Sequence, residues 1–197
     1  KEISYNIMPD RIETGTFLCL AAATEGKLEL DEVNPLHISP VINKLEEAGC
    51  IIEKEKSKLK IIAPRKLKAI DIKTMPYPGF PTDMQSVFGA MLTKAKGTSV
   101  IVENIFENRF KYMQDLNKMG AKITIEGKTA IIRGVKRLYG ATVKATDLRG
   151  GAALVMAGIM AKGITIVENR EYILRGYENF EKKLRQIGVD IEISNEI

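Results

Sequence analysis

Apolar positions along the chain switch between two periodicities in an order that recurs. Residues 14–24 are apolar nearly all round at helical composition, which predicts a buried helix. Residues 27–30 predict a short strand. Residues 38–48 carry Val41, Ile42, Leu45 and Ala48 at i, i+3, i+4 spacing, an amphipathic helix stopped by Gly49. Residues 50–53 and 59–63 predict two strands joined by a polar turn, and 69–73 a further strand. The succession then returns: helix over 84–95, strand over 98–103, helix over 109–119, strands over 121–125 and 129–133. Glu126-Gly127 supplies the turn of that last hairpin. A strand over 142–145 leads into a third apolar helix.

The recurrence also has fixed landmarks. Asp10, Asp83 and Asp147 stand at the starts of the three apolar helices, which end near Gly26, Gly97 and Gly163; the spacings are 16, 14 and 16 residues. A second glycine closes each second helix, at Gly49, Gly120 and Gly188, with Gly-to-Gly spacings of 23, 23 and 25 residues. Three units related by a pseudo-threefold follow, spanning approximately 1–75, 76–145 and 146–197. The third is short, because the nine residues after Gly188 hold a strand over 189–193 and not a hairpin. The chain opens on Lys1 rather than methionine, and reads as a piece of something longer that supplies the missing strands.

Composition narrows the partners. With 197 residues, 45% hydrophobic and 28% charged, the chain can bury a sizeable core without staples. Its longest charge-free apolar run, 150–161, is too short for a bilayer, and Glu2, Asp10 and Glu13 break any signal-peptide core. Two cysteines and one histidine exclude a zinc cluster and argue against a disulfide framework, so the expected location is cytoplasmic. The net charge of +5 suits polyanions. The basic residues form no stripe, however, and no aromatic RNA-binding signature is present. A phosphorylated small molecule therefore ranks above nucleic acid.

An aspartate before a helix is first a cap, and helix N-termini attract anions. Arg11 and Arg149 lie just inside first helices, and Arg109 and Arg175 at the starts of second helices, where the positive end of the macrodipole disfavours cations. Either an anion sits among them or they are surface arginines paired with Glu13, Glu107 or Glu178. The Pro/Gly-rich segment 77–81 is a rigid loop aimed at Asp83, the placement a general base needs. His37 stands alone as a helix-entry residue. Cys19 and Cys50 read as small buried hydrophobes.

Asp-Arg-Ile-Glu-Thr-Gly-Thr-Phe (10–17), Pro-Gly-Phe-Pro-Thr-Asp-Met-Gln (78–85), Ile-Phe-Glu-Asn-Arg-Phe (105–110), Thr-Asp-Leu-Arg (146–149) and Arg-Gly-Tyr-Glu (175–178) occur in this order over nearly the whole chain. Together they resemble the UDP-N-acetylglucosamine 1-carboxyvinyltransferases, enolpyruvyl transferases that open peptidoglycan synthesis. The resemblance implies an α/β (α+β) fold: three βαβαββ units forming one lobe of a two-lobed inside-out barrel. This chain, 1–197, would be a single lobe, with the other lobe as its partner. It implies phosphoenolpyruvate and UDP-N-acetylglucosamine as substrates of the full enzyme, with no cofactor, no metal, no nucleic acid and no membrane.

By the same resemblance Asp83 is the base for the attacking sugar hydroxyl, and Asp147 a second catalytic carboxylate near the reacting carbon. Arg149 and Arg175 hold the carboxylate and phosphate of phosphoenolpyruvate, and Ile105 and Phe106 contact the nucleotide-sugar. Arg109 either touches substrate or props the loop. The family's Lys-Asn pair and mobile-loop cysteine have no counterpart, so the isolated chain is expected to be inert. The strands missing from the third unit leave a sheet edge open, through which the chain is expected to dimerise. Two alternatives stand beside this reading. One is the related enolpyruvylshikimate-phosphate synthase, which shares the fold but not the 78–85 loop; the other is a non-catalytic RNA-binding module.

Overall fold

A computed structural model describes residues 3–5 and 7–194. The three apolar segments form helices α1 (Arg11–Ala23), α3 (Gln85–Leu92) and α5 (Leu148–Met160), with the amphipathic α2 (Ser39–Glu47) between the first two. All eight residues of α3 are buried, and α3 packs against both α1 and α5. A helix apolar on every side cannot face water on any of them, which puts it at the centre. Close approach is needed there: a Cβ on Gly89 of α3 would collide with the Tyr112 hydroxyl.

Three sheets surround these helices. The first has β1 (Lys27–Asp31) pairing antiparallel with β3 (Lys58–Ile62), which pairs antiparallel with β2 (Ile51–Lys54). The second runs in the order β4 (Ile72–Lys73), β5 (Thr98–Val102), β7 (Thr129–Arg133), β6 (Lys122–Glu126), with β4 parallel to β5. The third has β8 (Thr142–Lys144) parallel to β9 (Ile166–Glu168). Strand, helix, strand, helix and hairpin recur in that order, and the β4-to-β7 segment carries the full βαβαββ succession. Its second helix is α4 (Tyr112–Lys118).

The second glycines do what their spacing predicts. Gly49, Gly120 and Gly188 have φ of 103°, 93° and 89°, the left-handed region that ends a helix without steric cost to glycine. At the end of α1, however, Glu25 takes the left-handed residue with φ 58°, and Gly26 does not.

Two expectations change. Residues 189–193 do not form a strand: no neighbouring strand among the described residues offers them a ladder, and Arg185 Nε donates to the Ile191 carbonyl at 2.8 Å instead. The expected second helix of the third segment is also split, into α6 (Glu171–Leu174) and α7 (Phe180–Gln186). The break falls at Gly176 and at Asn179, whose φ of 50° interrupts helical geometry.

Candidate active site

Asp83 is the one repeated aspartate that does not cap a helix. Asp10 accepts from the Ile12 and Glu13 amides at 2.7 and 3.3 Å, and Asp147 from the Arg149 and Gly150 amides at 3.0 and 2.8 Å. Asp83 instead sits inside the 3-10 turn Thr82–Met84 that precedes α3, where Pro81 occupies the cap position. Its carboxylate is thereby released to face the second and third repeats. One oxygen accepts from Arg109 Nη2 at 2.7 Å and the other from Arg149 Nη2 at 3.2 Å. The arginine side chains are 18% and 12% exposed, the aspartate 38%.

Each arginine also lies over an aromatic ring. The Arg109 guanidinium is 4.9 Å from the centroid of Phe106, and that of Arg149 is 5.4 Å from the centroid of Tyr177. Tyr177 is buried, and its hydroxyl lies 2.8 Å from the Thr16 hydroxyl. Thr16 gives its one hydrogen to the Ile12 carbonyl, so Tyr177 is the donor, and α1 is tied to the ring beneath Arg149. Arg149 Nε and Nη1 and Arg109 Nε are buried without a protein partner among the described residues. Buried guanidinium donors of this kind suit a carboxylate or phosphate.

The residues expected in the site lie on several elements. Ile105 and Phe106 are exposed, in the loop that follows β5. Asp147 is occupied as the cap of α5 and makes no ion pair among the described residues. Arg109 lies three residues before α4 rather than at its start. Arg175 stands at the C-terminal end of α6, exposed, because the helix it was expected to open is broken there. A cation is favoured at that end of a helix dipole, so its position carries no electrostatic anomaly. Of the pairings with Glu13, Glu107 or Glu178, none is made by these arginines among the described residues; Glu13 binds Lys183 at 2.6 Å.

The sequence reading did not single out Glu103, Thr74 or Thr82. Glu103 is 1% exposed, immediately after β5, and its carboxylate accepts four hydrogen bonds. Thr74 Oγ1, the Ile105 amide and the Phe106 amide donate to Oε1 at 2.8, 2.8 and 3.1 Å, and Thr82 Oγ1 donates to Oε2 at 2.9 Å. A charged residue directly after the apolar run Val-Ile-Val (100–102) was the available signal. Tyr177 likewise was visible only as part of a motif.

A cavity of about 380 Å³ opens beside Arg109, lined among others by Phe106, Glu107, Lys111, Ile125 and Lys128. Asp83 and Arg149 are not among its lining residues. Both cysteines are buried, and burial raises both thiols, Cys50 to about 11. Neither is an accessible proton donor. Among the described residues no acidic, histidine or cysteine cluster is arranged to hold a metal, and no helix is long and apolar enough to cross a membrane.

Residues 1–184 match the family model of EPSP synthase (3-phosphoshikimate 1-carboxyvinyltransferase). The chain is 56% identical over 189 residues to a UDP-N-acetylglucosamine 1-carboxyvinyltransferase of Desulfofundulus thermocisternus, covering 96% of this chain and 78% of that protein. It is 52% identical over 188 residues to the enzyme of that name from Thermodesulfovibrio yellowstonii, covering 95% of this chain. There, however, it spans only 45% of the relative's length. Its fold is similar to that of the enolpyruvyl transferase NikO from Streptomyces tendae, with TM-score 0.85 at 24% identity over 95% of this chain and 45% of that one. EPSP synthase from Acinetobacter baumannii is similar at TM-score 0.74 and 18% identity, covering 97% and 45%.

Proposed function

The chain belongs to the EPSP synthase family of 1-carboxyvinyltransferases, and on that premise we propose that it is one lobe of a nucleotide-sugar enolpyruvyl transferase. The reaction moves the enolpyruvyl group of phosphoenolpyruvate to the 3-hydroxyl of UDP-N-acetylglucosamine and releases phosphate, the first committed step of peptidoglycan synthesis, in the cytoplasm. The observation that carries this reading is the Asp83 carboxylate held between Arg109 and Arg149 beside the exposed Ile105 and Phe106.

In this reading Asp83 takes the proton of the sugar hydroxyl as its oxygen bonds to the enolpyruvyl carbon. The methylene carbon gains a proton from an acid that the other lobe would supply; phosphate then leaves with the electron pair of its C–O bond and the new methyl carbon loses a proton, restoring the double bond. Arg149, and Arg175 with its exposed guanidinium, hold the carboxylate and phosphate. Asp147 supports the reacting carbon from the N-terminus of α5. Arg109, paired to Asp83 and resting on Phe106, orients the base and the loop together. The relatives' names favour UDP-N-acetylglucosamine over shikimate 3-phosphate as acceptor.

The test is phosphate release from phosphoenolpyruvate by the two-lobed enzyme, with each acceptor in turn. Release that requires UDP-N-acetylglucosamine supports the reading, and release that requires shikimate 3-phosphate replaces it. The chain alone should release none, since both its thiols are buried and raised; acceptor-dependent release would refute the one-lobe account. Among the described residues β1 pairs only with β3 and β9 only with β8, whereas β5 has a neighbour on each side. These open edges favour a dimer of the isolated chain through strand pairing. A sedimentation coefficient independent of concentration would overturn that.

A further inference from the structure

We infer that Glu103 is a positioning residue for the nucleotide-sugar side of the site, tying the turn that carries Asp83 to the backbone of Ile105 and Phe106. The inference rests on the function proposed above and adds a residue to it. Burying a carboxylate is costly unless its acceptor capacity is filled, and here four donors fill it with no Lys or Arg in ion-pair contact among the described residues. The donors come from three places. Thr74 follows β4, Thr82 adjoins Asp83 in the 3-10 turn, and the two amides belong to the loop after β5.

The proton count is closed. Thr74 Oγ1 accepts from the Asn104 amide at 2.8 Å, so its single hydrogen goes to Glu103. Asn104 Nδ2 donates back to the Thr74 carbonyl at 3.3 Å. Each partner therefore has one arrangement, and movement of the Glu103 carboxylate moves the Asp83 turn and the Phe106 loop together. Apolar packing could join these segments but would not fix them directionally. The spacing between the base and the loop expected to touch the sugar nucleotide is thus set by a buried carboxylate bonded to the turn that carries the one and to the amides of the other.

The test compares three variants of the two-lobed enzyme. Glu103→Gln keeps three bonds at its carbonyl, and its amide can donate to the Thr82 oxygen. Glu103→Ala removes all four ties, and Thr82→Val cuts only the one to the Asp83 turn. Misplacement on the scale of 1 Å can cost about 100-fold. We expect Glu103→Ala to lower kcat/KM for UDP-N-acetylglucosamine by roughly 10- to 100-fold and Thr82→Val by several-fold, with the KM for phosphoenolpyruvate within about twofold. Glu103→Gln should recover most of the loss.

Equal loss for both substrates, or no effect of Thr82→Val, overturns the inference; Thr82→Val also keeps the test open should Glu103→Ala not fold. Should the unmodified enzyme prove not to use UDP-N-acetylglucosamine, the substrate reading fails separately. Hydrogen exchange at the Ile105 and Phe106 amides then decides the positioning role. Protection lost in Glu103→Ala and kept in Glu103→Gln supports it, and unchanged protection in Glu103→Ala refutes it.

Discussion

Replacing Asp83 with asparagine probes the arginine clamp most directly. In the native site one oxygen takes Arg109 at 2.7 Å and the other takes Arg149 at 3.2 Å. Asparagine offers a single acceptor oxygen, and its amide nitrogen would face a guanidinium that can only donate. One arginine is released, and the shorter Arg109 contact is the one retained. A hydrogen bond to a charged group contributes about 1.5–3 kcal/mol and a neutral one about 0.5–1.5. Losing one and weakening the other comes to ~2–4 kcal/mol before solvent screening. Because the Asp83 side chain is 38% exposed, water competes for it, and about 1–2 kcal/mol is the expected net destabilisation. Urea unfolding of the chain, followed by far-ultraviolet circular dichroism, reads that quantity. In the proposed two-lobed enzyme the same substitution would remove the proposed proton acceptor, for which a loss of about 10²- to 10⁴-fold in turnover is expected. An unchanged urea midpoint would refute the clamp. Turnover within about tenfold of the unmodified enzyme would refute the base, independently of stability.

Arg175→Ala, at an exposed position with no ion pair among the described residues, should change stability by less than ~0.5 kcal/mol. It should weaken phosphoenolpyruvate more than UDP-N-acetylglucosamine, and equal weakening in steady-state kinetics would remove it from the site. Tyr177→Phe deletes the donor to Thr16 but keeps the ring under Arg149, so a stability loss of about 1 kcal/mol in urea is expected, with catalysis largely intact. With Cys50 raised to about 11, roughly a thousandth of it is thiolate at pH 8, so iodoacetamide should label the native chain far more slowly than the unfolded one. The raised pKa means the folded state keeps its proton where the unfolded state loses it. That contribution to stability is complete below the unfolded thiol's pKa and is lost as pH rises from about 9 to 11. A urea midpoint that climbs over this window would contradict the assignment.

Periodicity made the architecture legible because it records which faces must avoid water. The all-round apolar composition of 14–24 and the corresponding stretches in the later repeats can only be central helices. The 3.6-residue stripe of Val41, Ile42 and Leu45 can only be one that covers them, and the three residues are buried as the stripe requires. The positive φ of Gly49, Gly120 and Gly188 was equally local, written into glycine's lack of a Cβ. Failures arose where a local pattern depended on a distant partner. Residues 189–193 have strand character, but a strand is a pairing, and none is offered to them among the described residues.

Within the site, residue type and spacing marked Asp83, Arg109 and Arg149 as unusual without showing that they meet. Asp10, Asp83 and Asp147 look alike in the repeat, yet two are caps and one is not. That distinction comes from Pro81 and the 3-10 turn before α3, which turn the Asp83 carboxylate towards arginines 26 and 66 residues further along the chain. Glu103 and Tyr177 were hidden for the same reason. The use of a buried carboxylate is defined by its donors, and Thr74, Thr82, Ile105 and Phe106 become neighbours only when β4, the 3-10 turn and the loop after β5 are folded together. Sequence by itself determined which segments bury and where helices stop, since those depend on each residue's own solvation and backbone freedom. Tertiary structure alone decided which charges share a partner, because that energy depends on distance and desolvation between groups far apart in the chain.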